Sequence, residues 1–342
     1  MEDRKDSFPN YPLAELHAHL AASINPSVYW QIAHDQGFKL PKREYHAFIE
    51  YVTLSQKKKQ SMQEYFDQIY HPLLDKLSSG TYAVERAMYE IISGAYRSSN
   101  ITVVEIRNNP MKHNNFGEQD LDHIIMAMLR GMERSLLEYT RVSAGIIFCL
   151  DRQFSYQQNE IIVEKAIRYR RRGIVGIDFA NYDTGRFHFK DYINLVEKAK
   201  RAGLRVTAHC GETDTTNDTW EALEFINPER IGHGIKAAYD KNLMKELVKR
   251  NIVLELCPLS NIATKALKNI DELQFVLRTF IENNVKFCIN TDWPEIIEDA
   301  HLWKQFRFLR DENILTDEEL ERCNKIAFAH TFVPKGGLNA YL

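Results

Sequence analysis

DYINLVEKAKRAGLRVTAHCGE, residues 191–212, contains the unit from which most of this chain is built. From Asp191 to Ala202 the apolar residues recur at helical spacing with no breaker, and Gly203 follows as a natural C-cap. Arg205 to Cys210 is then a short apolar run, closed by the polar tip His209-Cys210-Gly211-Glu212. The order helix, strand, polar tip recurs downstream. Tyr239 to Lys249 precedes the run Ile252 to Cys257, and Glu272 to Asn283 precedes Lys286 to Thr291. Upstream lie the runs Leu13 to Leu20, Ile101 to Asn108, Val142 to Asp151 and Ile174 to Asn181, and Arg230 to Gly234 completes eight. Continuous rather than alternating hydrophobicity suits strands buried on both faces, as in a parallel sheet. Eight such runs separated by helices in 342 residues predict an α/β fold, a (β/α)8 barrel of the TIM type. A doubly wound open sheet is the alternative, but it usually has fewer strands.

The stretch from Asn25 to Asn100 is too long for one barrel helix. Its periodic positions Met62, Tyr65, Phe66, Ile69 and Tyr70 predict a helical insertion of about residues 25–100 after strand one, beside the catalytic face. No low-complexity linker divides the chain, so residues 1–342 are expected to form a single domain.

Composition narrows the function classes. Hydrophobic residues are 44% and charged residues 27%, and Lys+Arg 44 against Asp+Glu 47 leaves a net charge of −3. Without a basic excess, nucleic acid is not an expected partner. No apolar run approaches the ~20 residues needed to span a bilayer, so no membrane association is expected. The start, Met1-Glu-Asp-Arg-Lys-Asp, lacks the apolar core of a secretory signal. The five cysteines are scattered and without CxxC spacing, which fits reduced thiols in a cytoplasmic protein.

The polar tips carry the chemistry, because barrel enzymes work at the C-terminal ends of their strands. His17 and His19 stand at i and i+2 in run one, so both rings can reach one ion. His209 ends run five, with Glu212 three residues on. His233 ends run six between two glycines, which allow close approach to a ligand. Asp292 ends run eight, where it could ligate a metal or bind a metal's water. Each tip alone is weak, since an isolated HxH is more often incidental. Their convergence on strand ends one, five, six and eight points to a zinc-type site of imidazole donors with an open position. Run four ends Asp178-Phe179-Ala180-Asn181 without a lysine, which favours a single metal over a bridged pair. There is no HExxH helix, nucleophile elbow, P-loop or GxGxxG, and Cys257-Pro258-Leu259-Ser260 lacks the second cysteine of a cytidine-deaminase zinc motif.

These residues resemble the adenosine/AMP deaminase family of the amidohydrolase superfamily. The matching pieces are LHAHL (16–20), VVEIRNNP (103–110), GIIFCLDR (145–152), GIDFA (176–180), HCGE (209–212), RIGHG (230–234), CPLSN (257–261) and NTDWP (290–294). The resemblance implies that His17, His19, His209 and Asp292 hold one Zn2+ per chain. It implies that Glu212 protonates the ring nitrogen and that His233 acts on the attacking water. It also places Trp293, Asn181, Ala21 and Gly211 against a small-molecule substrate that is nucleoside-, nucleotide- or nucleobase-like.

The chain departs from the family pattern at three points: Ala21-Ala22 where an acidic residue or Asn precedes Gly, Asn181 where Gly is common, and Trp293 where a second Asp follows the metal ligand. The expectation is therefore a deaminase with altered recognition of sugar and base. A hydrolase of a non-nucleoside C–N bond is the alternative. A non-catalytic binding protein is a third, against which Glu212 and His233 argue. Lys57-Lys58-Lys59 and Arg170-Arg171-Arg172 read first as solvated helix faces, and only the lysines lie where a phosphate contact from the insertion is conceivable.

Overall fold

The computed structural model describes residues 8–55, 62–181, 185–213, 215–336 and 341. Lys57, Lys58 and Lys59 lie outside the described residues. Eight parallel strands run in chain order around the sheet: β1 Leu13–His19, β2 Ile101–Asn108, β3 Ser143–Asp151, β4 Ile174–Ala180, β5 Arg205–Cys210, β6 Arg230–His233, β7 Val253–Leu256 and β8 Lys286–Ile289. The ring closes at the C-terminal end of β1, where the His19 N–H donates to the Asp292 carbonyl at 3.1 Å and the Asp292 N–H to the His17 carbonyl at 2.8 Å. This is the (β/α)8 architecture expected from the sequence, with strand limits within two residues of the apolar runs.

Local chemistry sets the joints. A 3-10 turn, Phe189–Tyr192, leads into the helix Ile193–Arg201, which stops before Gly203, with φ +90°, ahead of β5. The helix expected from Tyr239 begins instead at Lys241. Asp240 caps it by accepting from the Asn242 and Leu243 N–H groups, and Tyr239 ends the preceding 3-10 turn.

Between β1 and β2 the described chain is helical, over Pro26–Asp35, Tyr45–Val52, Met62–Tyr65, Phe66–Leu74, Asp75–Leu77 and Thr81–Ser99. Phe66–Leu74 is π-helical and contains Pro72, and the wide turn is closed by the Asp75 N–H on the Tyr70 carbonyl. Such widened turns gather at functional sites. Tyr65 and Ile69 are core residues, whereas Phe66 and Tyr70 are half-buried against Trp293. Among the described residues, no helix is long and apolar enough to cross a membrane.

Candidate metal centre and active site

The barrel interior is charged where an ordinary barrel is aliphatic. Glu105 on β2, Arg230 on β6, Glu255 on β7, Arg107 on β2 and Asp178 on β4 are all fully buried. They bond in that order. Arg230 donates to Glu105 and, at 2.6 Å, to Glu255; Arg107 donates to Glu255 at 2.6 Å and to Asp178 at 2.9 Å. Burying isolated charges is prohibitive, so alternation of sign is what makes this column tolerable. Burial alone would raise Glu255, but Arg107 and Arg230 hold its carboxyl down at about 2.

The upper end of the column holds two histidines. The Nδ1–H of His17 donates to Glu255 at 2.8 Å and that of His209 to Asp178 at 2.9 Å. Each carboxylate fixes its ring so that Nε2 faces the barrel mouth, an outer-shell arrangement common to metal-ligating histidines. His19, on the same strand face as His17, brings its Nε2 to 3.0 Å from that of His209. Asp292 Oδ1 lies 3.6 Å from His17 Nε2 and 3.4 Å from His19 Nε2, while Ser260 donates to Asp292 Oδ2 at 2.6 Å. Burial, reinforced by neighbouring cations and rings, pushes His17 and His19 well below the ordinary imidazole range, leaving neutral donors.

The donor set fits a divalent cation. His17, His19 and His209 form one group whose ligand atoms lie within 4.8 Å of one another, and His17, His233 and Asp292 form a second. His17 Nε2 is buried without a hydrogen-bond partner, which is costly unless something else occupies its lone pair. Imidazole and carboxylate donors of this kind suit zinc.

Glu212 and His233 flank this cluster. Their closest approach is 3.7 Å, from His233 Nε2 to Glu212 Oε2. Burial raises the Glu212 carboxyl above its ordinary value and lowers His233 to about 4. The Asn261 amide lies 3.0 Å from His233 Nδ1 and fixes the ring. His233 and Asp292 both adopt positive φ, +60° and +63°. For residues with side chains such backbone carries roughly 1–3 kcal/mol of strain, often met at active sites.

The remaining residues expected at the substrate are placed as follows. Ala21 is buried, and its carbonyl accepts from the Tyr29 hydroxyl at 2.7 Å. The Asn181 side-chain amide donates to both Asp151 oxygens at 3.0 and 3.1 Å. Trp293 is 8% exposed, stacked on Tyr70 at 5.1 Å and edge-on to Phe66 at 5.3 Å. Gly211 is buried at φ +59°, with its N–H already engaged within the protein. Sequence reasoning missed Glu255, Arg107, Ser260 and Asn261 as supports. Arg107, Ser260 and Asn261 fall within the matching pieces VVEIRNNP and CPLSN, whereas the signal for Glu255 was a charge inside an apolar strand run.

The adenosine deaminase family model matches residues 12–341. An adenosine deaminase of Shewanella denitrificans is 28% identical over 320 residues, which is 92% of each chain. Of solved structures, the adenine deaminase of Arthrobacter aurescens superposes with a TM-score of 0.80 at 22% identity and covers 97% of both chains. An ADAL–IMP complex superposes at 0.78 with 25% identity, covering 94% of this chain and 92% of that one. With a match over almost its whole length, this chain belongs to the adenosine deaminase family, hydrolases of non-peptide C–N bonds.

Proposed function

We propose that this chain deaminates an aminopurine or adenosine-like compound with one Zn2+, held by His17, His19, His209 and Asp292. The observation that carries the reading is the convergence of these four side chains, with the buried, unpartnered Nε2 of His17 among them, beside Glu212 and His233. Zinc supplies Lewis acidity there and can bring the pKa of a water to about 7.

The chain's own residues supply the proton transfers. Glu212, whose carboxyl is pushed above its ordinary value by burial, gives its proton to the ring nitrogen beside the amino-bearing carbon as water oxygen adds to that carbon. His233, neutral near pH 7, accepts a proton from the attacking water and returns it to the departing amine. The C–N bond breaks, ammonia leaves, and the remaining hydroxyl proton restores Glu212 as the ring carbon becomes a carbonyl.

Recognition differs from the family pattern. The Ala21 methyl offers no acceptor to a sugar hydroxyl, and leaving one unpaired costs roughly 1–3 kcal/mol, about tenfold to a hundredfold in affinity. Loss of an acidic side chain there also removes repulsion against a phosphate. Trp293 can offer an indole N–H to a ring nitrogen or a ring face to a base. Adenosine is therefore a poor substrate, and a phosphorylated, 5′-substituted or sugar-free aminopurine a better one. The IMP in the ADAL complex, a purine nucleotide with a carbonyl at the reacting carbon, accords with this.

The test is ammonia release from adenosine, adenine, AMP and a 5′-deoxy-5′-substituted adenosine, with Ala21→Asp alongside. Efficient adenosine turnover, unimproved by Ala21→Asp, overturns the substrate assignment. An inert purine panel with zinc-loaded protein overturns the deaminase assignment and favours hydrolysis of a non-nucleoside C–N bond.

A further inference from the structure

Among the described residues Glu212 forms no hydrogen bond through its own side chain: its nearest titratable contact is His233 at 3.7 Å, and His209, Arg152 and Asp218 act on its carboxyl only through space. Its aim must therefore come from the backbone that precedes it. That backbone is clamped one peptide at a time. Arg152, at the end of β3, donates to the His209 carbonyl, and its guanidinium reaches Cys210 Sγ at 3.8 Å. The Cys210 carbonyl accepts from the Gly234 N–H at 2.9 Å and the Gly211 carbonyl from the Lys236 N–H at 2.9 Å. The Gly211 N–H donates to the Asp218 carboxylate, 3.0 Å to Oδ1 and 3.2 Å to Oδ2.

The two charged clamps are themselves held. Asp218 lies in the first turn of the helix Asn217–Phe225, where the helix dipole favours an anion, and Thr219 Oγ1 donates to it at 3.3 Å. Arg152 lies 5.4 Å from the ring centres of both Phe187 and Phe189 and 3.9 Å from Asp218. Gly211 leaves no slack, since a Cβ there would meet Thr219 Oγ1 at 2.8 Å and Gly234 Cα at 3.3 Å.

We propose that Asp218, braced by Arg152, is a positioning residue for the proton donor: it locks the Gly211 turn so that Glu212 points at the substrate. The role in turnover rests on the deaminase reading above; the structural role does not. Misplacing a reacting group by about 1 Å can cost on the order of 10²-fold in rate.

The experiment compares Asp218→Ala with Asp218→Asn in the full chain, with three readouts: metal content, kcat and KM for the best panel substrate, and hydrogen exchange of the peptide spanning Gly211. Asparagine keeps an acceptor for the Gly211 N–H and alanine does not. The expected result for Asp218→Ala is unchanged metal, kcat lower by about 10- to 100-fold, nearly constant KM and faster exchange at Gly211, with Asp218→Asn restoring most of both. Unaltered kcat or exchange in Asp218→Ala overturns the proposal. So does loss of metal, which would make Asp218 a support of His209, or an asparagine variant as impaired as alanine. If the unaltered chain deaminates nothing, the deaminase reading fails separately, and exchange at Gly211 still decides whether Asp218 holds the turn.

Discussion

Replacing Arg107 by methionine should weaken folding and metal binding together. Arg107 is fully buried and donates to Asp178 at 2.9 Å, Glu255 at 2.6 Å and the Leu16 carbonyl at 2.6 Å. Methionine fills much of the volume but removes every donor. Glu255 keeps Arg230 at 2.6 Å, while Asp178 keeps the His209 Nδ1–H but no guanidinium. Breaking a buried pair from one side typically costs about 3–5 kcal/mol, because the remaining charge stays desolvated. At roughly 2 °C per kcal/mol for a domain of this size, the metal-free protein should melt roughly 5–10 °C lower. Since Asp178 and Glu255 orient His209 and His17, metal affinity should fall about 10- to 100-fold as well. The exposed Arg86–Asp35 pair, at 2.7 Å, is the control, and Arg86→Met should cost under about 1 kcal/mol. Thermal melts with and without metal, plus competition with a chromophoric chelator, measure both effects. A metal-free Arg107→Met protein that melts no lower than Arg86→Met, or binds zinc as tightly as the unaltered chain, would refute the charged column as the support of the metal site.

Two further outcomes follow from the centre. His17→Ala or His209→Ala should lose both zinc and activity, because each removes a donor from the cluster, and elemental analysis of the unaltered protein should find about one zinc per chain. Two tightly bound metals would contradict the mononuclear reading. Glu212→Gln preserves shape but has no transferable proton, so it should keep zinc and lose about 10²–10⁴-fold in kcat. Near-normal turnover in that variant would remove Glu212 as the proton donor.

The barrel and its chemistry were legible for different reasons. A parallel strand buried on both faces is a local property, written as a continuous apolar run, and glycines such as Gly203 mark where helices stop. Because a barrel gathers its strand ends at one face, the eight apolar runs by themselves imply that His17, His209, His233 and Asp292 meet there. Boundaries were less legible: the cap at Asp240 moved one helix start by two residues.

What the sequence determined by itself was the repeated helix–strand unit and the residue types at the strand tips. Only the tertiary structure decided how those tips are held. His17 is oriented by Glu255, 238 residues away, and Ser260 reaches Asp292 across 32. A glutamate inside an apolar strand has no local signature that names its partner, since the free energy that tolerates it comes from charges on other strands. Trp293 shows the same limit. Its substitution for a carboxyl was visible, but not its stacking on Tyr70, because that contact depends on how the π-helical turn lies over the barrel mouth. Backbone periodicity is encoded within a few residues; the pairing of buried polar groups exists only once the ring of strands has closed.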